Sequence, residues 1–224
     1  MSTDSDFPPA RVFLRPIGSP LTVGMSGLAI ASLVQSGLDL HWIALDETHQ
    51  VGLVLITVPF VLQLLACVFS YLARDGATGA AVGVLSVSWL AEGLLHLTSV
   101  PGSRSGALGL MLLCVGAMLV LSAIALAAAK PLPAAVFAAA ALRFLVTGVY
   151  ELGASSSWQH AGGLIGLVVC GAAGYCVLAF ELEGQHHRAV LPTFRRGRGR
   201  LAVQGDPRER VDGVTDEAGV RQTV

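Results

Sequence analysis

Apolar residues run along this chain in six long blocks separated by short polar breaks. The blocks cover residues 21–38, 51–73, 78–98, 105–129, 134–152 and 160–182. Each is close to the roughly 20 helical residues that cross a hydrocarbon core of about 30 Å. Within a block almost no polar face recurs, so few positions could meet water. A helix that is apolar around its circumference belongs in lipid or in the core of a much larger protein. At 224 residues the chain is too short to supply that larger core. The pattern predicts an all-α, polytopic membrane protein: a bundle of six transmembrane helices.

The breaks carry chemistry that stops helices. Residues 39–50 bring three acids and two histidines, Arg74-Asp75-Gly76 is a tight polar turn, and residues 99–104 combine Pro101 with Gly102. Lys130-Pro131-Leu132-Pro133 ends one helix and restarts another, and residues 153–157 close the last gap. Three regions follow: an N-terminal segment over 1–20, the six-helix domain over 21–184, and a basic juxtamembrane segment with a tail over 185–224. The first twenty residues lack the continuous apolar core of a signal peptide. Residues 203–224 mix Asp, Glu, Arg, Gly and Thr without apolar periodicity, which predicts a disordered tail.

Composition agrees with a membrane setting. Hydrophobic residues make up 54% of the chain and charged residues only 13%, against about 25% charged in soluble domains. The net charge of -1 matters less than where the charges sit. Twelve of the fourteen Lys and Arg fall on one side of the six predicted crossings: Arg11, Arg15, Arg74, Lys130, and eight arginines from Arg188 onward. Only Arg104 falls on the other side, and Arg143 lies within a helix. By the positive-inside rule both termini face the cytoplasm, which predicts a multi-pass protein of the inner (plasma) membrane. The closely spaced arginines of the 188–200 stretch are expected against anionic headgroups, as a topological anchor or as a regulatory contact. They form no aromatic-interleaved patch, so no nucleic-acid partner is indicated. Cys67, Cys114, Cys170 and Cys176 all lie in apolar blocks without a C-x-x-C pair, which excludes a zinc ribbon or a redox motif.

Several local strings resemble the acetate uptake transporter family, the bacterial acetate/succinate–proton symporters and their fungal acetate and ammonia relatives. The family signature N-P-A-P-L-G-L corresponds to Ile17-Gly18-Ser19-Pro20-Leu21-Thr22-Val23, which keeps Pro20 and Leu21. Gln63-Leu64-Leu65-Ala66 resembles its Q-x-x-A-G, with Cys67 in place of Gly. Residues 79–89, ending in Trp89, echo the third-helix pattern, and Ala161-Gly162-Gly163-Leu164-Ile165-Gly166-Leu167 followed by Tyr175 is similar to that of the sixth helix. The resemblance covers about residues 12–184. It implies a ring-shaped homo-oligomer, a hexamer, in which each protomer carries its own narrow path for acetate or a short dicarboxylate moved with a proton. It places Pro20, Leu21, Gln63, Trp89 and Tyr175 beside that path and calls for no cofactor.

Polar groups inside the blocks are costly and therefore informative. Gln63 either donates to a passing carboxylate or ties two helices together. Arg143 costs about 2.5–3.5 kcal/mol at a helix centre; it either holds a substrate carboxylate through paired N–H donors or forms an internal salt bridge, for which Glu92 is the natural partner. Glu92 and His96 are spaced i, i+4 on one helix face with Trp89 a turn earlier, so they form a candidate proton site or an interfacial pair. Tyr150, Glu151, Trp158 and His160 read as interface anchors. Gly162, Gly166, Cys170, Ala173 and Gly174 make a small-residue stripe suited to helix packing within or between protomers. Gly102-Ser103-Arg104-Ser105-Gly106 has Arg where a hydrolase elbow needs its serine, and no paired aspartates follow Arg74-Asp75-Gly76. Without a nucleophile constellation, catalytic pair or metal cluster, an enzyme is not expected. The expected function is a carboxylate transporter or channel, with a non-transporting scaffold or a passive channel for ammonia or urea as alternatives.

Overall fold

The computed structural model describes residues 19–186 and 189–195. The described residues form seven α-helices: α1 (Pro20–Asp39), α2 (Thr48–Thr57), α3 (Pro59–Leu72), α4 (Gly76–Thr98), α5 (Gly106–Ala127), α6 (Pro131–Glu151) and α7 (Ser156–His186). A short helical turn, Leu45–Glu47, leads into α2. Together they provide six segments long and apolar enough to cross a membrane, and α2 with α3 makes one of them, Leu45–Leu72. The predicted blocks thus appear as crossings, with one difference inside the second. Pro59 has no N–H to continue the ladder and crowds the residue before it, so Val58 sits at φ -114°, ψ -74° and divides the segment into α2 and α3.

Local chemistry sets the helix ends. Proline opens α1, α3 and α6, where the missing N–H is harmless. The Asp75 side chain accepts from Thr78 N at the start of α4, and Ser105 Oγ accepts from Leu108 N at the start of α5. Asp75 also pairs with Lys130, tying the α3–α4 turn to the α5–α6 turn.

Consecutive crossings pack against each other, and α7 returns to pack on α1, so the six close into a ring with α4 also against α2. Small residues permit the close approaches. A Cβ on Gly93 would lie 2.8 Å from the Gly52 carbonyl oxygen, and one on Gly52 2.7 Å from that of Gly93. Gly109 and Gly148 make the same reciprocal contact between α5 and α6, each Cβ position 2.9 Å from the other's carbonyl oxygen. The ring interior holds Met25, Leu28, Leu85, Trp89, Leu112, Leu119, Phe137 and Phe144, all buried. Its outside is studded with exposed Leu64, Val68, Leu110, Leu121, Ile124, Leu164 and Val168. Lipid solvates such a surface where water would not.

At the C-terminal end of α7, residues 189–195 fold back onto that helix. Tyr175 Oη donates to the Pro192 carbonyl (3.1 Å), Arg195 pairs with Glu183 (2.6 Å) and its guanidinium lies 4.8 Å from the Phe180 ring centre. Arg195, expected at headgroups, is therefore engaged by the protein itself. Residues 1–18, Arg188 and 196–224, with the rest of the arginine-rich stretch and the tail, lie outside the described residues.

Candidate functional site

Four polar residues of α1, Ser32, Gln35, Ser36 and Asp39, are spaced i, i+3, i+4, i+7 and so share one helix face. All four are buried. Asp39 is the unexpected member: the break after the first block assigned it to an outer loop, yet it is only 5% exposed. The ring explains this. Gly163 of α7 approaches so closely that a Cβ there would lie 3.1 Å from Asp39 Cβ, and the last turn of α1 is enclosed.

From that stripe a chain of contacts crosses the ring. Gln35 Nε2 donates to Asp39 Oδ1 (3.3 Å) and Gln35 Oε1 meets His96 Nε2 of α4 (3.1 Å). An amide oxygen only accepts, so His96 Nε2 carries the proton of this bond. On its other side Asp39 Oδ2 stands 3.7 Å from Arg143 Nη2 of α6. Arg143 is 2% exposed, and its guanidinium lies 5.4 Å from the Trp89 ring centre, within cation–π range. Trp89 in turn packs on Phe144 with centroids 5.2 Å apart.

The expected ion pair between Arg143 and Glu92 is corrected by this arrangement: the salt-bridge partner of Arg143 is Asp39. Glu92 is buried within electrostatic reach of the guanidinium, and its Oε1 has no hydrogen-bond partner among the described residues. His96 likewise bonds Gln35 across the ring rather than Glu92 a turn below. Position along the membrane normal had suggested Glu92; position around the helix axis decides for Asp39.

A cleft with an accessible volume of about 60 Å³, at the end of the ring where α1 finishes, opens onto one end of this chain of contacts. Gln35, Asp39, His96, Tyr150 and Glu151 line it, together with the 99–103 turn and the start of α5. Its rim is fastened by Glu151 Oε2, which accepts from Ser105 N (2.8 Å), and by Arg104, which donates to the Ala154 carbonyl (2.8 Å) and lies 4.3 Å from the Tyr150 ring centre. Tyr150 and Glu151, expected as interface anchors, are parts of a cleft wall. Asp39 belongs both to the cleft and to the Arg143 pair.

The other candidates lie apart from this cluster. Gln63 is fully buried and its Nε2 donates to the Gly24 carbonyl of α1 (3.1 Å), while Oε1 has no partner among the described residues. Pro20 and Leu21 sit at the start of α1, and Tyr175 holds the 189–195 segment. Of the small-residue stripe, Gly162 abuts Thr147, and Gly166 abuts Ser36 and Arg143, whereas Gly174 faces open space within the protomer. Gln35 and Ser36 are hidden by reading the first block as uniformly apolar and Asp39 by placing it in the break; with Ser32, their i, i+3, i+4, i+7 spacing is the available signal. Replacing Gln63 with Met should cost roughly 1 kcal/mol through loss of the interhelical bond. A drop in thermal stability in detergent of that size, with any transport kept, fits a tie; unchanged stability with lost transport fits a path residue.

The molecule thus defines a class: a single closed ring of six membrane-crossing helices with a cleft at one end and a buried polar centre. No protein-family model matches the sequence, and no curated protein matches it. Among solved structures, that of the bacterial acetate channel SatP shares the fold, with TM-score 0.70 and 21% sequence identity over 79% of this chain and 99% of that one.

Proposed function

We propose that this protein passes small carboxylates, acetate foremost, through a path inside each protomer. One observation carries the reading: a buried guanidinium with unpaired N–H donors stands behind a cleft in a fold shared with an acetate channel. A cation held in low-dielectric surroundings attracts a carboxylate strongly and selects against cations. Coupling to protons belongs to the same proposal. Asp39 and Glu92 ionised together beside Arg143 would leave one buried negative charge in excess, and a proton held on either carboxyl balances it. Succinate, with a second charge, fits the cluster less well than acetate.

In this reading the chain belongs with the acetate uptake transporters, lies in the inner membrane with both ends inside, and assembles as a hexamer. Twelve cytoplasmic basic residues support the orientation. The outward, unoccupied faces of Gly171 and Gly174 on α7 suit contact with another protomer. Purified protein in liposomes should take up labelled acetate above the rate of empty liposomes, and faster with an inward proton gradient. Rates equal to empty liposomes for acetate, succinate and lactate alike would exclude the proposal.

A second reading has its own support. Among the described residues the cleft is lined by the carboxylates Asp39 and Glu151 and by no Lys or Arg, which suits ammonium, a neutral solute or an undissociated acid. Transport of ammonia or urea that ignores the proton gradient would favour it.

A further inference from the structure

Arg143 leaves Nε and Nη2 without hydrogen-bond partners among the described residues. These two nitrogens share one edge of the guanidinium plane, the edge that can grip both oxygens of a carboxylate through parallel bonds. Asp39 faces that edge without closing it: its Oδ2 stands 3.7 Å from Nη2, near enough for attraction and too far for a hydrogen bond. Gly166 lets α7 pack directly against this flank. A Cβ at that position would lie 2.9 Å from Arg143 Nε and would overlap the Ser36 hydroxyl. Ser36 is itself fully buried and its Oγ is unpartnered among the described residues, so a third donor stands beside the same edge. Asp39 also lines the cleft, and therefore stands between that cleft and the donor edge.

We propose that the Arg143 Nε–Nη2 edge and the Ser36 hydroxyl form a binding site for one small monocarboxylate, and that Asp39 is a resident counter-ion which the incoming carboxylate displaces. A side chain already bonded on both oxygens would block the edge; Asp39, bonded at Oδ1 to Gln35 and only attracted at Oδ2, holds the charge and leaves the donors available. Arg143 is the single cation among these groups, so once Asp39 is displaced it balances one carboxylate, which limits the ligand to one charge. The inference deepens the transport reading by naming its central site, but binding can be measured without transport.

The test uses full-length Asp39→Asn protein in detergent, unfolded thermally in sodium acetate and in sodium chloride at equal ionic strength. The variant should lose stability in chloride and regain most of it in acetate. Its half-saturating acetate concentration should fall about tenfold below that of the natural protein, as expected when one competing charged contact is removed. The response should vanish in Asp39→Asn/Arg143→Met. Equal responses to acetate and chloride, or an unchanged half-saturation, overturn the proposal. A variant recovered only when acetate is present during extraction supports it. If neither salt yields folded protein, Ser36→Ala decides: its half-saturating acetate should rise about tenfold, and an unchanged value overturns the site. Acetate rescue without liposome uptake would remove the transport reading and leave the site; uptake without rescue would do the reverse.

Discussion

Replacing Arg143 with methionine should cost about 3–5 kcal/mol of folded-state stability, the range seen when one partner of a buried ion pair is removed. The cause is what remains. Asp39 and Glu92 are 5% and 3% exposed, and without the guanidinium neither has a cation beside it. The contact with the Trp89 ring goes as well. Methionine fills much of the same length, so packing loss is a minor part of the effect. Adding Asp39→Asn to Arg143→Met should recover more than half of the loss, because the unpaired charge is then gone too. Thermal unfolding of the two single variants and the double variant, closed as a cycle, isolates the coupling between the side chains. A single Arg143→Met variant within 1 kcal/mol of the natural protein, with acetate uptake intact, would show that this helix face has been misread.

Gly93→Val should be nearly as damaging for a steric reason. A Cβ at Gly93 would lie 2.7 Å from Ile56 Cγ1 and 2.8 Å from the Gly52 carbonyl oxygen. The isoleucine can turn aside, but the backbone oxygen cannot move without α2. Overpacking costs typically about 1–3 kcal/mol, and here it separates two helices at their closest point. Glu92 precedes Gly93 on α4 and His96 follows it by three residues, so displacement also strains the His96–Gln35 bond. Gly52→Val should have a similar effect, and the pair should be less than additive because each pushes the same two helices apart. Gly184→Ala, where a Cβ meets nothing within 4 Å, is the control and should be neutral or slightly stabilising. Both quantities are read from melting in detergent and from the fraction of monodisperse protein. Equal behaviour of Gly93→Val and Gly184→Ala would contradict the packing described.

The six crossings were legible because apolar residues surround each helix and the interruptions contain Pro, Gly or clustered charge. That same uniformity hid the interior. When a helix is oily on all sides, the pattern does not say which side faces its neighbours, so partners across the ring are not readable from spacing alone. Arg143 announced itself as a buried charge, but its counter-ion was assigned by depth to Glu92 and proved to be Asp39. Asp39 was taken for a loop residue because an acid after an apolar block ordinarily meets water; here α7 covers it. The stripe Ser32, Gln35, Ser36, Asp39 was the exception to uniformity, and its helical spacing pointed inward. Trp89 and His96 reach the polar centre through Arg143 and Gln35, and Glu92 lies buried within electrostatic reach of that guanidinium, whereas the contacts of Gln63 and Tyr175 lie elsewhere. The kink at Pro59 was visible as a proline but was not read as a division of the second crossing.

Closure of the ring through α1 and α7 has a consequence for how the protein is made. Asp39 emerges from the ribosome with the first crossing, but the guanidinium that answers it comes four crossings later, and the helix that covers it comes last of all. Until then the nascent chain carries an acid at the membrane edge with no basic side chain to meet it. Chains that terminate early should therefore stay open to quality-control proteases, and insertion of the sixth crossing should mark the moment the polypeptide becomes resistant.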